Sequence, residues 1–110
     1  MRLLTSNAER TMSKVIIKLA PTKLLAELYF AENKVKYAKA WLPLYTQHYP
    51  ITLTEAGIEA AEEAFDLTNN PSREEDRNRF YGRHRSVSVG DVVEVDGTDY
   101  LCDSFGWVEM

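Results

Sequence analysis

SVSVGDVVEVDGTDYLCDSFGW, residues 86–107, sets valines at alternate positions and breaks the run at Gly90-Asp91, Asp96-Gly97 and Ser104-Phe105-Gly106. A period of two places successive side chains on opposite faces of a strand, and residues that tolerate positive φ mark the reversals. The spacing predicts a strand over 86–89, a turn at Gly90-Asp91, a hairpin on Asp96-Gly97 and a closing strand over 107–109. Together these make a small antiparallel sheet, with Trp107 as its large core anchor. A two-residue turn at Asp96-Gly97 would set Glu94 opposite Asp99, a like-charge pair, so a bulged turn with a shifted register is the alternative.

Upstream of this stretch the period lengthens to that of a helix. In TLTEAGIEAAEEAFDL, residues 52–67, Thr52 and Glu55 have the spacing of a capping box, and Ile58, Ala61 and Phe65 supply a buried stripe. Asn69-Asn70-Pro71 then turns the chain, and Ser72 with Glu75 repeats the capping pattern for a short helix closed by Gly82. Leu24, Leu25, Leu28 and Tyr29 predict a helix over 23–32, capped by Thr22. Val35, Ala38, Trp41 and Leu42 predict another that ends near Trp41, because Pro43 follows. The β-branched residues of 14–19 predict a buried strand ended by Ala20-Pro21. The fold class is α+β, with an N-terminal strand and helices packed on a small C-terminal antiparallel sheet. Residues 12–110 are expected to form one domain, and residues 1–11, which precede a second methionine, a flexible leader.

Composition narrows the function. With 110 residues, 45% hydrophobic and 27% charged, the chain has the make-up of a globular domain. No apolar run approaches the ~18 residues that cross a bilayer, so no membrane association and a cytoplasmic setting are expected. Cys102 is the one cysteine, which rules out an intramolecular disulfide and predicts a small hydrophobe on a strand. His48 lies in an aromatic run and is expected to be a surface or core histidine. The sequence contains no phosphate-binding glycine loop, nucleophile elbow or metal-ligand spacing, so neither an enzyme, a cofactor nor a metal is expected.

Charge is distributed in blocks. Residues 12–50 hold six lysines against two glutamates, 51–71 hold five carboxylates and no lysine or arginine, and 86–110 hold six carboxylates, again without a counter-charge. Asp91, Glu94, Asp96, Asp99 and Asp103 form a candidate acidic face that could occupy a basic groove on a partner protein. Between the acidic blocks lie Arg73, Arg77, Arg79, Arg83 and Arg85, a candidate basic patch for phosphates or for an acidic protein. The more economical reading of these arginines is internal, through Glu74, Glu75 and Asp76 or against the acidic 55–66 helix. Tyr37, Trp41 and Tyr45, four apart, form a candidate aromatic surface if helical geometry survives Pro43.

Leu67-Thr68-Asn69, then SVSVGDVV (86–93) and Asp103-Ser104-Phe105-Gly106-Trp107, resemble a signature of small uncharacterised proteins of phages, plasmids and mobile elements. The ending is similar to that of the YodL-like domain, and the likeness covers the chain from Phe65 onward, with Val87 standing where leucine is usual. The resemblance implies gene context rather than chemistry. With the small size and segregated charge, it leads to an accessory protein that acts by protein–protein contact in the host cytoplasm. A host nucleic-acid-processing complex is the expected partner, and inhibition of a defence nuclease, anti-CRISPR or anti-restriction, the expected role. The alternative is a nucleic-acid-binding module that uses the Arg73 to Arg85 patch.

Overall fold

The computed structural model describes residues 12–110; the expectation of a flexible leader falls outside them. The α+β class is as expected, with helices packed on one antiparallel sheet. The strands are β1 (Ser13–Leu19), β2 (Thr46–Gln47), β3 (Ile51–Leu53), β4 (Val92–Val95), β5 (Thr98–Asp103) and β6 (Gly106–Glu109). The helices are α1 (Leu25–Phe30), entered through a 3-10 turn at Thr22–Leu24, then α2 (Lys34–Trp41), α3 (Gly57–Asn69) and α4 (Glu74–Phe80). β1 lies inside the sheet. One of its sides carries β4, with Ile17 opposite Val93; the other carries β2 at Leu19 and β3 at Val15. β5 and β6 extend the sheet beyond β4.

Both faces of the sheet are buried, which explains why Val92 and Val93 are equally inaccessible. Val15, Ile17, Leu19, Val93, Val95 and Cys102 meet Ala60, Ala61 and Ala64 of α3 on one face. Val92 and Leu101 meet Leu24, Leu28 and Ala38 of the α1–α2 side on the other. Cys102 is the buried small hydrophobe expected of it, and burial, ahead of neighbouring carboxylates, pushes its thiol up to about 12.

Several local expectations are corrected. Thr52 does not cap a helix: it pairs with Lys14 in β3, and α3 begins only at Gly57, where φ is 55°. The buried line of α3 is Ala60, Ala61, Ala64, Leu67 and Thr68, while Ile58 and Phe65 of the expected stripe stay exposed. Alanines win this position because small side chains let the helix lie close on a sheet of β-branched residues. Ahead of α4, the side chain of Asn70, rather than that of Ser72, accepts the Ser72 N–H at 2.9 Å. Gly82 closes the helix as expected, with φ at 92° and its N–H donating to the Arg77 carbonyl.

Residues 86–89 form no strand. Their backbone is claimed by the end of α3: the Val87 N–H donates to Thr68 Oγ1 and Asn69 Nδ2 donates to the Val87 carbonyl. Gly90 (φ 100°) follows, where an added Cβ would lie 2.8 Å from Leu28 Cβ. The hairpin on Asp96-Gly97 takes the two-residue register, and both turn residues have positive φ. Trp107 is a partial anchor, half-buried against the α3 side, edge-on to Phe65 and donating its indole N–H to Glu62.

Candidate functional site

The acidic face is less available than its sequence block suggests. Asp91 is fully buried, because the turn at Gly90 points its carboxylate inward. Arg85 grips it with two hydrogen bonds, of 2.7 and 2.9 Å, and the backbone N–H groups of Ala20 and Ser88 donate to it at 2.8 Å each. Asp91 is therefore a structural clamp between the end of β1 and the 85–91 loop, a correction to its place on the surface. The hydrogen bonds that Arg85 donates to Asp91 raise the Arg85 pKa despite the opposing effect of burial.

Glu94 and Asp99 do stand opposite one another. Lys18 of β1 relieves their repulsion, its Nζ lying 2.9 Å from an oxygen of each. Burial opposes the Lys18 charge, but the hydrogen bonds to Asp99 and Glu94 outweigh it and hold the pKa above the usual lysine value. Asp103 lies 3.6 Å from Lys34, and Asp96 accepts the backbone N–H of Lys14 at 2.9 Å. Lysines of the N-terminal block thus meet carboxylates of the C-terminal one, because β1 runs beside β4 and α2 approaches β5.

The arginines divide. Arg73 binds Glu63 at 2.6 Å and Asp66 at 3.0 Å and reaches Asp76 at 3.5 Å, so its charge is spent on α3 and the first turn of α4. Arg77 donates to the Thr68 carbonyl at 2.6 Å, to Ser86 Oγ at 3.1 Å and to the His84 carbonyl, which ties α4 to the end of α3 and the following loop. Among the described residues no ion pair involves Arg79 or Arg83; Arg79 lies over the Phe80 ring. The expected pairing with the 55–66 helix and with Asp76 holds for Arg73 alone; Arg77 and Arg85 are also used inside the molecule but by other partners, which leaves Arg79 and Arg83 as the outward part of the patch.

The aromatic trio is split. α2 ends at Trp41, a 3-10 turn at Leu42–Leu44 follows, and Tyr45 turns inward, its hydroxyl donating to the Gly90 carbonyl at 2.7 Å. Burial holds the Tyr45 pKa well above the ordinary phenol value. Tyr37 and Trp41 remain neighbours on α2, with ring centroids 6.4 Å apart. Beside them a groove of about 610 Å³ runs between α1 and α2, lined by Phe30, Ala31, Tyr37 and Ala40, with Glu27, Glu32 and Lys36 around it. Phe30 is 80% exposed, and Tyr29, Trp41 and Leu44 also face outward. Tyr29 and Phe30 were not singled out as surface residues in the sequence, where Tyr29 counted only toward the spacing that predicts the helix.

A second groove, of about 700 Å³, lies between α4 and the end of α3 and is polar, with Asn78, Arg83, His84 and Glu74 on its walls. Among the described residues no group of three or more His, Cys, Asp and Glu is placed to hold a metal, and no helix is long and apolar enough to cross a membrane. The fold and its surfaces define a small α+β domain, its sheet covered on both faces, with an apolar groove between α1 and α2 open to solvent. No family model, curated protein or solved structure matches the chain.

Proposed function

We propose that this chain is a non-enzymatic interaction protein that binds a partner protein through the α1–α2 aromatic surface. One observation carries the reading. The charged groups of both candidate ionic faces are largely used within the molecule, whereas Phe30 stays exposed on the wall of an apolar groove, with exposed Tyr29 against Phe30 and exposed Trp41 against Tyr37. Exposed aromatics beside a groove are the side chains that dominate protein interfaces. The resemblance to mobile-element proteins supports an accessory role in the host cytoplasm, with a nucleic-acid-processing complex of host defence as the partner and its inhibition as the role.

Affinity capture from host lysate, followed by titration of the captured protein, tests this. Phe30→Ser removes an exposed ring without touching the core and should weaken binding at least about tenfold, the loss of a single interface anchor. Reversing Glu94 and Asp96 to lysine, or Arg79 and Arg83 to glutamate, should change affinity less. If the arginine pair dominates and the captured species is nucleic acid, the nucleic-acid-binding alternative replaces this reading.

A further inference from the structure

We propose that His48 and His84 form a proton-sensitive clasp that ties the edge segment 46–50 to the 82–85 loop and releases it on acidification. His48 lies between β2 and β3, where its N–H donates to the Ile17 carbonyl at 3.0 Å and holds the segment against β1. Its ring reaches across to the chain that leaves α4. The centroid lies 4.2 Å from that of His84 and 5.3 Å from that of Tyr81, and Tyr81 and His84 are themselves 5.4 Å apart. Three rings from two distant parts of the sequence therefore close one contact.

Among the described residues, His48 Nε2 is buried and has no hydrogen-bond partner. A neutral imidazole tolerates that environment at modest cost; an imidazolium does not, because a buried N–H⁺ without an acceptor forfeits its hydration. The charged and titratable groups around the contact offer no relief. From α4 and its loop, Arg77 lies over Tyr81 at 5.6 Å and donates to the His84 carbonyl, and Arg83 lies beside His84 on the wall of the polar groove. Arg85 is bound to Asp91, so the one buried carboxylate among the described residues is already matched. Glu74 lines the same groove as His84, but no ion pair joins it to either imidazole. From the sheet, the backbone carbonyl of Ile17 faces the His48 N–H, not its ring.

A proton on His48 thus sets a cation against the His84 ring, with the Arg85 guanidinium adding repulsion. Burial, then His84, then Arg85 lower the His48 pKa from its ordinary 6.5. The folded chain binds this proton less readily than the unfolded one, so the stability contributed by neutral His48 is complete above 6.5 and is lost as the pH falls below it.

Amide hydrogen exchange, corrected for the intrinsic pH dependence, tests the clasp in the full chain. Between about pH 7.5 and 5.5 the protection of the His48 amide should fall by about tenfold, while that of Val93, inside the sheet, changes by less than about twofold. His48→Gln and His84→Gln should each flatten the response at position 48. An unchanged pH response in both variants, or a parallel loss at His48 and Val93, overturns the proposal. A ring-proton titration of wild-type His48 decides independently of how the variants fold: a midpoint below 6.5 supports the clasp, and one at or above 6.5 contradicts it.

Discussion

Lys18 carries one ammonium for two carboxylates, and its side chain is only 8% exposed. Removing it leaves Glu94 and Asp99 facing each other across the hairpin with no counter-charge. Lys18→Met should therefore cost about 2 kcal/mol in urea unfolding at neutral pH, less than a fully buried pair because both carboxylates keep some solvent. A second change, Asp99→Asn, should restore much of the loss. Because its folded pKa is raised, the Lys18 contribution is complete below 10.5 and disappears as the pH climbs past the folded value. Asp91 sits deeper. Asp91→Asn leaves Arg85 without its ionic partner and two backbone donors with a weaker acceptor, so unfolding should become easier by about 3–5 kcal/mol. A loss under about 1 kcal/mol would return Asp91 to the surface role its sequence block suggests. The opposition of Glu94 and Asp99 was one of the two registers that the turn dipeptide left open. Lys18 and the burial of Asp91 were not, since each depends on a partner more than 60 residues away or on how a loop folds back.

Among the elements, α3 shows why apolar size misleads. Two of its three large hydrophobes, Ile58 and Phe65, stay exposed, while the contact with the sheet is made by Ala60, Ala61 and Ala64, each at 0% exposure. Ala64→Leu should force helix and sheet apart and destabilise by about 1–3 kcal/mol, whereas Ile58→Ala should stay within about 0.5 kcal/mol. Thermal unfolding of the two variants side by side checks the assignment, and the reverse order would put the helix on its other face. β1 was readable from its β-branched run and the Ala20-Pro21 stop, β4 to β6 from the turn residues between them, α2 from its apolar spacing and Pro43, and α4 from the turn before it and Gly82 after it. The expected strand over 86–89 failed for a tertiary reason: Thr68 and Asn69 offer its backbone side-chain partners, so valine alternation does not become a ladder. The capping box at Thr52 failed likewise, because β1 had an open edge and took residues 51–53 into the sheet.

For the molecule as a whole, the charge blocks of the sequence fold onto one another. Lysines 18 and 34 reach the acidic hairpin region, Arg73 reaches α3, and Arg85 closes on Asp91. A linear reading sees segregated surfaces, since it cannot tell which blocks become neighbours; the fold turns much of that segregation into internal compensation. The aromatic surface was only half legible. The spacing of Tyr37 and Trp41 announced it, but Tyr45 left it at Pro43, and Phe30 joined it from a helix whose exposed face the sequence did not single out.

In the proposed function, binding rests on an apolar surface rather than on an ionic one, and the salt dependence of affinity for the captured partner tests this most directly. Between about 50 and 500 mM salt, exposed ionic contacts are screened and phosphate contacts lose orders of magnitude, while burial of aromatic rings is little affected. The predicted result is a change in dissociation constant of less than about threefold across that range, with Phe30→Ser weak throughout. A fall in affinity of a hundredfold or more with rising salt, undiminished in Phe30→Ser, would contradict the account and return the function to one of the charged faces.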